Sequence, residues 1–298
     1  MTLQRFLFDP DPRLRPAWRA LAFVPVYVLL LIALSLAAGF IAGSGTLKKN
    51  LELALAVIGM VSILAALLTA ALFLPRLDRK DFRALGFWFY PGWIKEFGLG
   101  VAGGFLLVSF VIALQWLLGG LAVRGFTAGG DALLLAALWN LIVLLPAATG
   151  EELFFRGYPF QRLIEAFGEW PATALCATLF GLVHLYNPSP TVLSTLNTAL
   201  VGILLAFAYL KTRGLWLPIG LHFAWNYALG FLYSLPVSGI TLKGVVWQVE
   251  VTGGCWLTGC AYGPEGSLLT TLIASAAIVA LAGTSRLSVS SQPAPAVQ

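Results

Sequence analysis

Long runs of apolar residues, separated by short polar stretches, dominate the sequence. A helix needs about 20 mostly apolar residues to cross the hydrocarbon core of a bilayer, and eight stretches approach that length. They cover Trp18–Ile41, Leu51–Leu74, Gly98–Leu121, Ala132 past Pro146, Pro171–Tyr186, Thr191–Leu210, Gly214–Tyr233 and Ser267–Gly283. The pattern therefore predicts an all-α membrane protein, a bundle of about eight transmembrane helices.

The fourth apolar stretch differs from the others. Pro146 interrupts it, and a helical pattern resumes through Glu151 to about Phe167. Because a proline inside a helix removes a hydrogen bond and bends the axis, we expect a kinked fourth helix. Broken helices at membrane depth line a cavity or a site, so the pattern also predicts an intramembrane polar cavity.

Composition and charge agree with a bilayer protein. Hydrophobic residues make up 59% of the chain and charged residues 10%, against about 25% charged residues in soluble domains. The net charge is +5, but the sequence contains no nucleic-acid-binding motif, so no nucleic acid partner is expected. Of the 18 Lys and Arg residues, 14 fall on one side of the predicted topology. Since basic loops stay in the cytoplasm, we expect a multi-pass protein of the inner cell membrane with both termini cytoplasmic.

The same pattern divides the chain into three parts. Residues 1–17 form a cytoplasmic N-terminal segment, 18–284 a single transmembrane bundle with its core at about 132–233, and 285–298 a cytoplasmic tail. The first apolar run is longer than the core of a signal peptide, so it is expected to remain as a true span. No internal repeat is evident, which argues against a transporter built from inverted repeats.

Five ionisable residues fall deep within the predicted spans, where charge persists mainly when it is paired or functional. They are Glu151, Glu152, Arg156, His184 and His222, and the last two are the only histidines of the chain. The fourth and fifth spans form a helical hairpin, and Glu151 and His184 lie at similar distances from its turn. Equal rise per residue therefore predicts that these two side chains meet at the same depth.

Spacing also separates the roles of the two glutamates. Glu152 and Arg156 are four residues apart, which suits an ion pair along one helix face. This pairing leaves Glu151 available as a general base, since desolvation would raise the pKa of its carboxyl group. Asn226 follows His222 by one helical turn, so both side chains are expected on the same face.

The three cysteines carry less information. Cys176 lies inside the fifth span, where a small packing residue is the expected role. Cys255 and Cys260 fall in the predicted outer loop Ser234–Gly266, and an oxidising compartment would allow a disulfide between them.

Three ordered motifs resemble those of the CPBP family of intramembrane proteases, which includes the CAAX prenyl endopeptidases and bacteriocin-processing and self-immunity relatives. EELFFR at Glu151–Arg156 is similar to the EExxxR motif of the family, FGLVH at Phe180–His184 to FxxxH, and HFAWN at His222–Asn226 to HxxxN. GPEGS at Gly263–Ser267 is similar to a softer family feature. The resemblance extends from the second loop to the last span.

The resemblance implies an endopeptidase that acts on a membrane-associated peptide or protein. Glu151 and His184 would activate a water molecule, His222 and Asn226 would stabilise the oxyanion, and Glu152 and Arg156 would support the site. A metalloprotease with Glu151, His184 and His222 as zinc ligands is an alternative. The amide of Asn226 favours hydrolysis without a metal, because it supplies the contact to the oxyanion that a metal would otherwise make.

Two other function classes remain open at this stage. The same polar residues could relay protons in a proton-coupled transporter, or support a non-catalytic membrane immunity or scaffold protein. Glu151 or either histidine, taken alone, also fits a hydrogen-bonded packing role. The composition, rich in Ala, Leu and Gly, resembles that of bacterial proteins and argues against prenylated proteins as substrates.

Overall fold

The computed structural model describes residues 7–9, 13–126, 129–243 and 246–285. The predicted cytoplasmic tail, 285–298, lies outside the described residues apart from its first position, and the predicted N-terminal segment, 1–17, is described only in part.

Helices dominate the described chain, with one pair of short strands. The α-helices are α1 (Pro16–Ala42), α2 (Ser44–Lys49), α3 (Leu51–Phe73), α4 (Trp93–Leu117), α5 (Asp131–Phe155), α6 (Tyr158–Phe167), α7 (Glu169–Val183), α8 (Val192–Thr212), α9 (Trp216–Tyr227), α10 (Cys255–Thr258) and α11 (Leu268–Gly283). π-Helical turns follow α3 at Leu74–Asp78 and α9 at Ala228–Leu232. Short 3₁₀ turns lie at Phe82–Leu85, His184–Tyr186, Cys260–Tyr262 and Pro264–Gly266. The strands are β1 (Leu121–Phe126) and β2 (Trp247–Val251).

Among the described residues, five helical segments are long and apolar enough to cross a membrane. They are Pro16–Ala42, Leu51–Asp78, Trp93–Leu117, Asp131–Phe167 and Val192–Thr212. The predicted class, an all-α membrane protein, is therefore confirmed. The other three predicted spans correspond to the shorter helices α7, α9 with its π-helical turn, and α11, so the count of eight stays a prediction.

The fourth predicted span is interrupted at a different place from the one that the sequence suggested. Helix α5 runs through Pro146 and ends at Phe155, and α6 begins after Gly157. A Cβ atom on Gly157 would overlap the carbonyl oxygen of Leu153, so the turn requires glycine. Pro159 lies in the first turn of α6, where its missing N–H group is tolerated. A bend at Pro146 itself stays a prediction.

The chain divides into two compact units. Unit 1 consists of Met1–Phe89 and Leu145–Cys176, and unit 2 of Tyr90–Leu144 and Ala177–Gln298. Helices α5 and α7 each have one end in unit 1 and the other end in unit 2.

An aromatic cluster forms the centre of unit 1. Phe23 stacks on Tyr158 with ring centroids 5.1 Å apart, and Phe73 meets the edge of both rings at 5.7 and 5.5 Å. Tyr27 lies against Phe154 at 4.5 Å. Aromatic pairs of this kind add about 0.5–1.5 kcal/mol beyond the area that they bury. They fasten α1 and α3 to α6 and to the end of α5.

A buried group of charges joins three segments of unit 1. Asp78 accepts hydrogen bonds from Arg19 and, at 2.8 Å, from Arg162, and all three residues are buried. Glu165 lies 2.6 Å from Arg162 and 3.4 Å from Arg19. Opposite charges at this spacing offset the cost of removing each group from water. The start of α1, the π-helical turn after α3 and helix α6 therefore meet at one place.

Glycines bring two helices of unit 2 into backbone contact. A Cβ atom on Gly100 or Gly104 of α4 would overlap the carbonyl oxygen of Leu217 or Leu221 in α9. On the opposite helix, a Cβ atom on Gly220 would lie 3.0 Å from the backbone nitrogen of Val101. Small residues spaced four apart allow this approach in membrane helices, because packing rather than water exclusion holds the helices together.

Asn197 of α8 fastens the beginning of α11 within unit 2. Its side-chain amide donates to the carbonyl oxygens of Glu265 and Ser267, both at 2.8 Å, and its Oδ1 accepts from Thr271 at 2.6 Å. At the other end, Lys211 donates to the carbonyl oxygen of Ala282 at 3.1 Å. Side-chain bonds therefore join α8 and α11 at both ends.

The two strands, which the hydropathy pattern did not predict, form an antiparallel ribbon in unit 2. Phe126 packs on Trp247 with ring centroids 4.0 Å apart, and Arg124 pairs with Glu250 at 2.6 Å on the exposed side. Apart from Leu121, both strands lie in segments that hydropathy assigns to loops. Hydropathy does not reveal the ribbon, because the ribbon depends on cross-strand contacts between distant residues.

The contact between α4 and α9 yields a prediction with a matched control. Gly104→Ala places a methyl group against the backbone of α9 and should lower the free energy of unfolding by about 1–3 kcal/mol. Gly103→Ala meets no atom within 4 Å and should be neutral or slightly stabilising, because alanine favours a helix. Thermal unfolding midpoints in detergent compare the two variants, and equal midpoints would contradict the close contact.

Candidate active site

The two glutamates and the arginine of the first motif lie at the end of α5, in unit 1. Oε1 of Glu152 lies 3.0 Å from Nη1 of Arg156, and both side chains are almost completely buried. The predicted ion pair is therefore confirmed. The guanidinium group also lies 5.8 Å from the ring of Phe155. A buried pair with this geometry braces the last turn of the helix.

Glu151 lies on a different face of the same turn and is partly exposed. The backbone beside it is packed tightly: a Cβ atom on Gly150 would lie 2.7 Å from Oγ of Ser62, and one on Gly59 would lie 2.8 Å from the nitrogen of Ala147. Helix α3 therefore fixes the segment of α5 that carries Glu151.

Tyr27 and Ser62 are polar neighbours that the sequence analysis missed. Their hydroxyl oxygens are 2.7 Å apart, and the charge of Glu151 acts on the phenol group of Tyr27. There was little signal for them in the sequence, because each lies in a mostly apolar helix that also carries another hydroxyl side chain, Ser35 in α1 and Thr69 in α3. Their packing against α5 depends on the tertiary structure, which the spacing of residues along the chain does not reveal.

The two histidines flank one phenylalanine in unit 2. The ring centroid of Phe180 lies 4.6 Å from that of His184 and 6.0 Å from that of His222. His222 is buried and His184 is partly exposed. The structure therefore brings together the second and third motifs. Phe180, the aromatic residue of FGLVH, packs against both histidines.

A backbone contact sets the orientation of His184. Its Nδ1 lies 2.7 Å from the carbonyl oxygen of Phe180, one turn earlier in α7. A carbonyl oxygen only accepts hydrogen bonds, so the bond assigns the proton to Nδ1. In the neutral ring, Nε2 then carries the lone pair and is the nitrogen able to accept a proton.

His222 and Asn226 lie one turn apart in α9, as the sequence predicted. Their helix is the one held against α4 by the glycine contact. Each unit therefore contains one part of the predicted site: unit 1 has Glu151, Glu152 and Arg156, and unit 2 has His184, His222 and Asn226. The expectation that Glu151 and His184 meet at one depth stays a prediction.

Within the described part of either unit, His, Cys, Asp and Glu form no group of three or more that could hold a metal ion. The alternative zinc set, Glu151, His184 and His222, draws its members from both units and also stays a prediction.

The structure decides the state of two cysteines that the sequence left open, and Cys176 is buried, as expected of a small packing residue. Cys255 and Cys260 form a disulfide, and Cys176 is a buried free thiol. The disulfide closes a short loop just before the GPEGS segment.

These observations describe a multi-pass helical membrane protein with buried polar groups on the segments that carry the three motifs. Residues 133–228 match the family model described as type II CAAX prenyl endopeptidase Rce1-like. The match contains all three motifs and confirms the resemblance to the CPBP family of proteases over that part of the chain. Comparison with curated proteins and comparison with solved structures found no match.

The ion pair at the end of α5 leads to a stability prediction. Arg156→Ala leaves Glu152 buried without its cation, which typically costs about 3–5 kcal/mol. Glu151→Gln keeps the shape of a partly exposed side chain, so yield and thermal midpoint should stay close to the unchanged protein. Purification yield and unfolding in detergent measure both effects.

A double variant is the control for this comparison. Glu152→Gln with Arg156→Met removes both charges and should recover part of the stability that Arg156→Ala loses. Equal midpoints for Arg156→Ala and Glu151→Gln would contradict the division between a structural pair and a separate carboxylate.

Proposed function

We propose that the protein is an intramembrane endopeptidase that hydrolyses a peptide bond of a membrane-associated substrate. The observation that carries this proposal is the Rce1-like match over 133–228, which spans every residue of the three motifs. The proposed protease core lies at about 132–233, within a bundle that extends over 18–284.

In the proposed mechanism, Glu151 and His184 activate the attacking water molecule. Glu152 pairs with Arg156, which assigns the second glutamate of the motif a structural role and favours Glu151 as the base. His184 carries the lone pair on Nε2, which suits a proton acceptor during attack and a donor to the leaving amine. A general base of this type contributes about 10²–10⁴-fold to rate.

His222 and Asn226 are proposed to stabilise the negative charge that develops on the carbonyl oxygen. Both are on one face of α9, and the backbone contact with α4 restrains that helix. Donors fixed before the reaction stabilise the transition state without reorganising. We propose that no metal is required, and zinc on Glu151, His184 and His222 is the alternative.

The proposed topology has eight spans, a bend at Pro146, an intramembrane polar cavity, and both termini in the cytoplasm of the cell membrane. The cluster around Asp78 supports part of this arrangement. Arg19, Asp78 and Arg162 come from three segments that the basic residues assign to the same side of the membrane, and these side chains are in contact within unit 1.

Thiol labelling tests the topology. An impermeant maleimide applied to intact cells should label Lys243→Cys, whereas Arg76→Cys should react only after permeabilisation. Both positions are exposed, and of the native cysteines two form a disulfide and one is buried. Labelling of Arg76→Cys in intact cells would overturn the orientation.

The activity is tested by comparing membrane proteomes of cells that express the unchanged chain or Glu151→Gln in place of it. The variant should accumulate an uncleaved membrane peptide, with its cleavage reduced by about 10²–10⁴-fold. Asn226→Leu, which cannot donate a hydrogen bond, should reduce cleavage by about 10²–10³-fold. Cleavage by the purified protein should persist after chelation.

The alternative functions predict different results. A scaffold or immunity protein would leave the membrane proteome unchanged by Glu151→Gln, and a transporter would show proton-coupled flux in vesicles instead. Activity that is lost on chelation and restored by zinc would assign Glu151, His184 and His222 as metal ligands.

A further inference from the structure

A carboxylate outside the three motifs lies in unit 2, near enough to both histidines for their charges to act on it. Glu265 occupies the 3₁₀ turn Pro264–Gly266, just before α11, and is partly buried. It lies beyond residues 133–228, the part of the chain that matches the family model. Electrostatic interactions connect its charge to His184 and to His222.

Both oxygens of this carboxylate accept hydrogen bonds from other segments. Oε1 accepts from Nε1 of Trp225 in α9 at 3.2 Å. Oε2 accepts from the backbone N–H and, at 2.8 Å, from the hydroxyl group of Ser238. The backbone carbonyl of Glu265 is held in turn by Asn197 of α8. The turn therefore presents a carboxylate in a fixed position between α9 and the loop that follows it.

Trp225 connects Glu265 to the third motif, because Trp225 itself lies between His222 and Asn226 in the sequence. In a helix, residues three and four apart lie on the same face, so Trp225 and Asn226 flank His222 on either side. Trp225 is buried, and its indole is fixed at one end by the bond to Glu265. A bond at this point restrains rotation of α9 about its own axis.

The contact of Glu265 with Ser238 links the carboxylate to the segment that follows His184. Ser238 has a left-handed backbone conformation, with φ of 46°, and forms part of a tight turn bridged between Val237 and Ile240. A Cβ atom on the next residue, Gly239, would overlap the carbonyl oxygen of Pro188, four residues after His184. The turn that donates to Glu265 thus also contacts the segment that follows α7.

We propose that Glu265 is a positioning residue of the histidine pair, which holds α9 through Trp225 and the segment after His184 through the Ser238 turn. The expected effect on the rate of cleavage rests on the proposed peptidase function, whereas the expected effect on the positions of the histidines does not. Burial raises the pKa of Glu265, while the bonds from Ser238 and the charges of the two histidines act against that rise.

Histidine-selective isotope labelling makes the structural consequence measurable, because the chain has two histidines. Glu265→Gln should keep the helical content and thermal midpoint within a few degrees of the unchanged protein and should shift the ring signals of both histidines. Glu265→Asp, which keeps the charge, should move them less. Glu250→Gln removes an exposed carboxylate of strand β2 and should leave both signals in place.

The kinetic readout uses the peptide that accumulates in membranes with Glu151→Gln. Glu265→Gln should lower kcat by about 10- to 100-fold with little change in KM, since misplacement of a reacting group lowers the rate by such factors. Glu265→Asp should restore part of the rate. A rate unchanged in folded Glu265→Gln would overturn the proposal.

Two single-donor variants keep the inference testable if Glu265→Gln fails to fold. Trp225→Phe keeps the buried ring and removes one donor, and Ser238→Ala removes the hydroxyl donor. The first should shift mainly the His222 signal and the second mainly the His184 signal, and unshifted signals in both would overturn the proposal. If no peptide accumulates with Glu151→Gln, the proposed function fails, while the histidine signals still decide whether Glu265 positions the pair.

Discussion

The backbone contact between α4 and α9 is the constraint on which unit 2 depends. Gly100 and Gly104 leave no side chain between the helices, so the carbonyl groups of Leu217 and Leu221 lie against the opposite backbone. Close packing provides the attraction in a bilayer, where the hydrophobic effect between helices is absent. Because His222 follows Leu221 directly, the contact also determines where the imidazole lies. In this unit, a change in the packing of α4 against α9 would therefore also move His222.

A second constraint acts on several charged residues that the structure describes, which are held by ion pairs or hydrogen bonds. Arg156 has Glu152, and Asp78 has two arginines. Glu265 is held by neutral donors from Trp225 and Ser238. Charge without such bonds is costly in low dielectric surroundings. These buried or partly buried charges consequently lie either where segments are joined or where chemistry is proposed.

Sequence alone was sufficient for features that repeat along one helix. Hydropathy found the apolar helices, and four-residue spacing found the pair Glu152–Arg156 and the alignment of His222 with Asn226. The break at Gly157 was missed, because Pro146 gives the stronger local signal although α5 continues through it. Proline is tolerated there when neighbouring groups satisfy the backbone.

Contacts between segments far apart in the chain could not be predicted from the spacing of residues. Phe180 was expected as part of a motif, but its position between both histidines depends on how α7 and α9 pack. Glu265 lies 43 residues after His222, in a loop whose path hydropathy does not determine. Tyr27 and Ser62 likewise became neighbours of α5 only through the packing of unit 1.

The bonds of Asn197 have a consequence for how the protein is made. The side-chain amide bonds to Glu265, Ser267 and Thr271, which lie about 70 residues further along the chain, and synthesis proceeds from the N-terminus. During translation, α8 therefore enters the bilayer with an amide that has not yet met these partners. The amide is satisfied by them only when the last helix arrives, so α11 completes the assembly of unit 2. A chain that ends before Glu265 would lack all three of these bonds, so α8 would lose its side-chain connection to the start of the last helix.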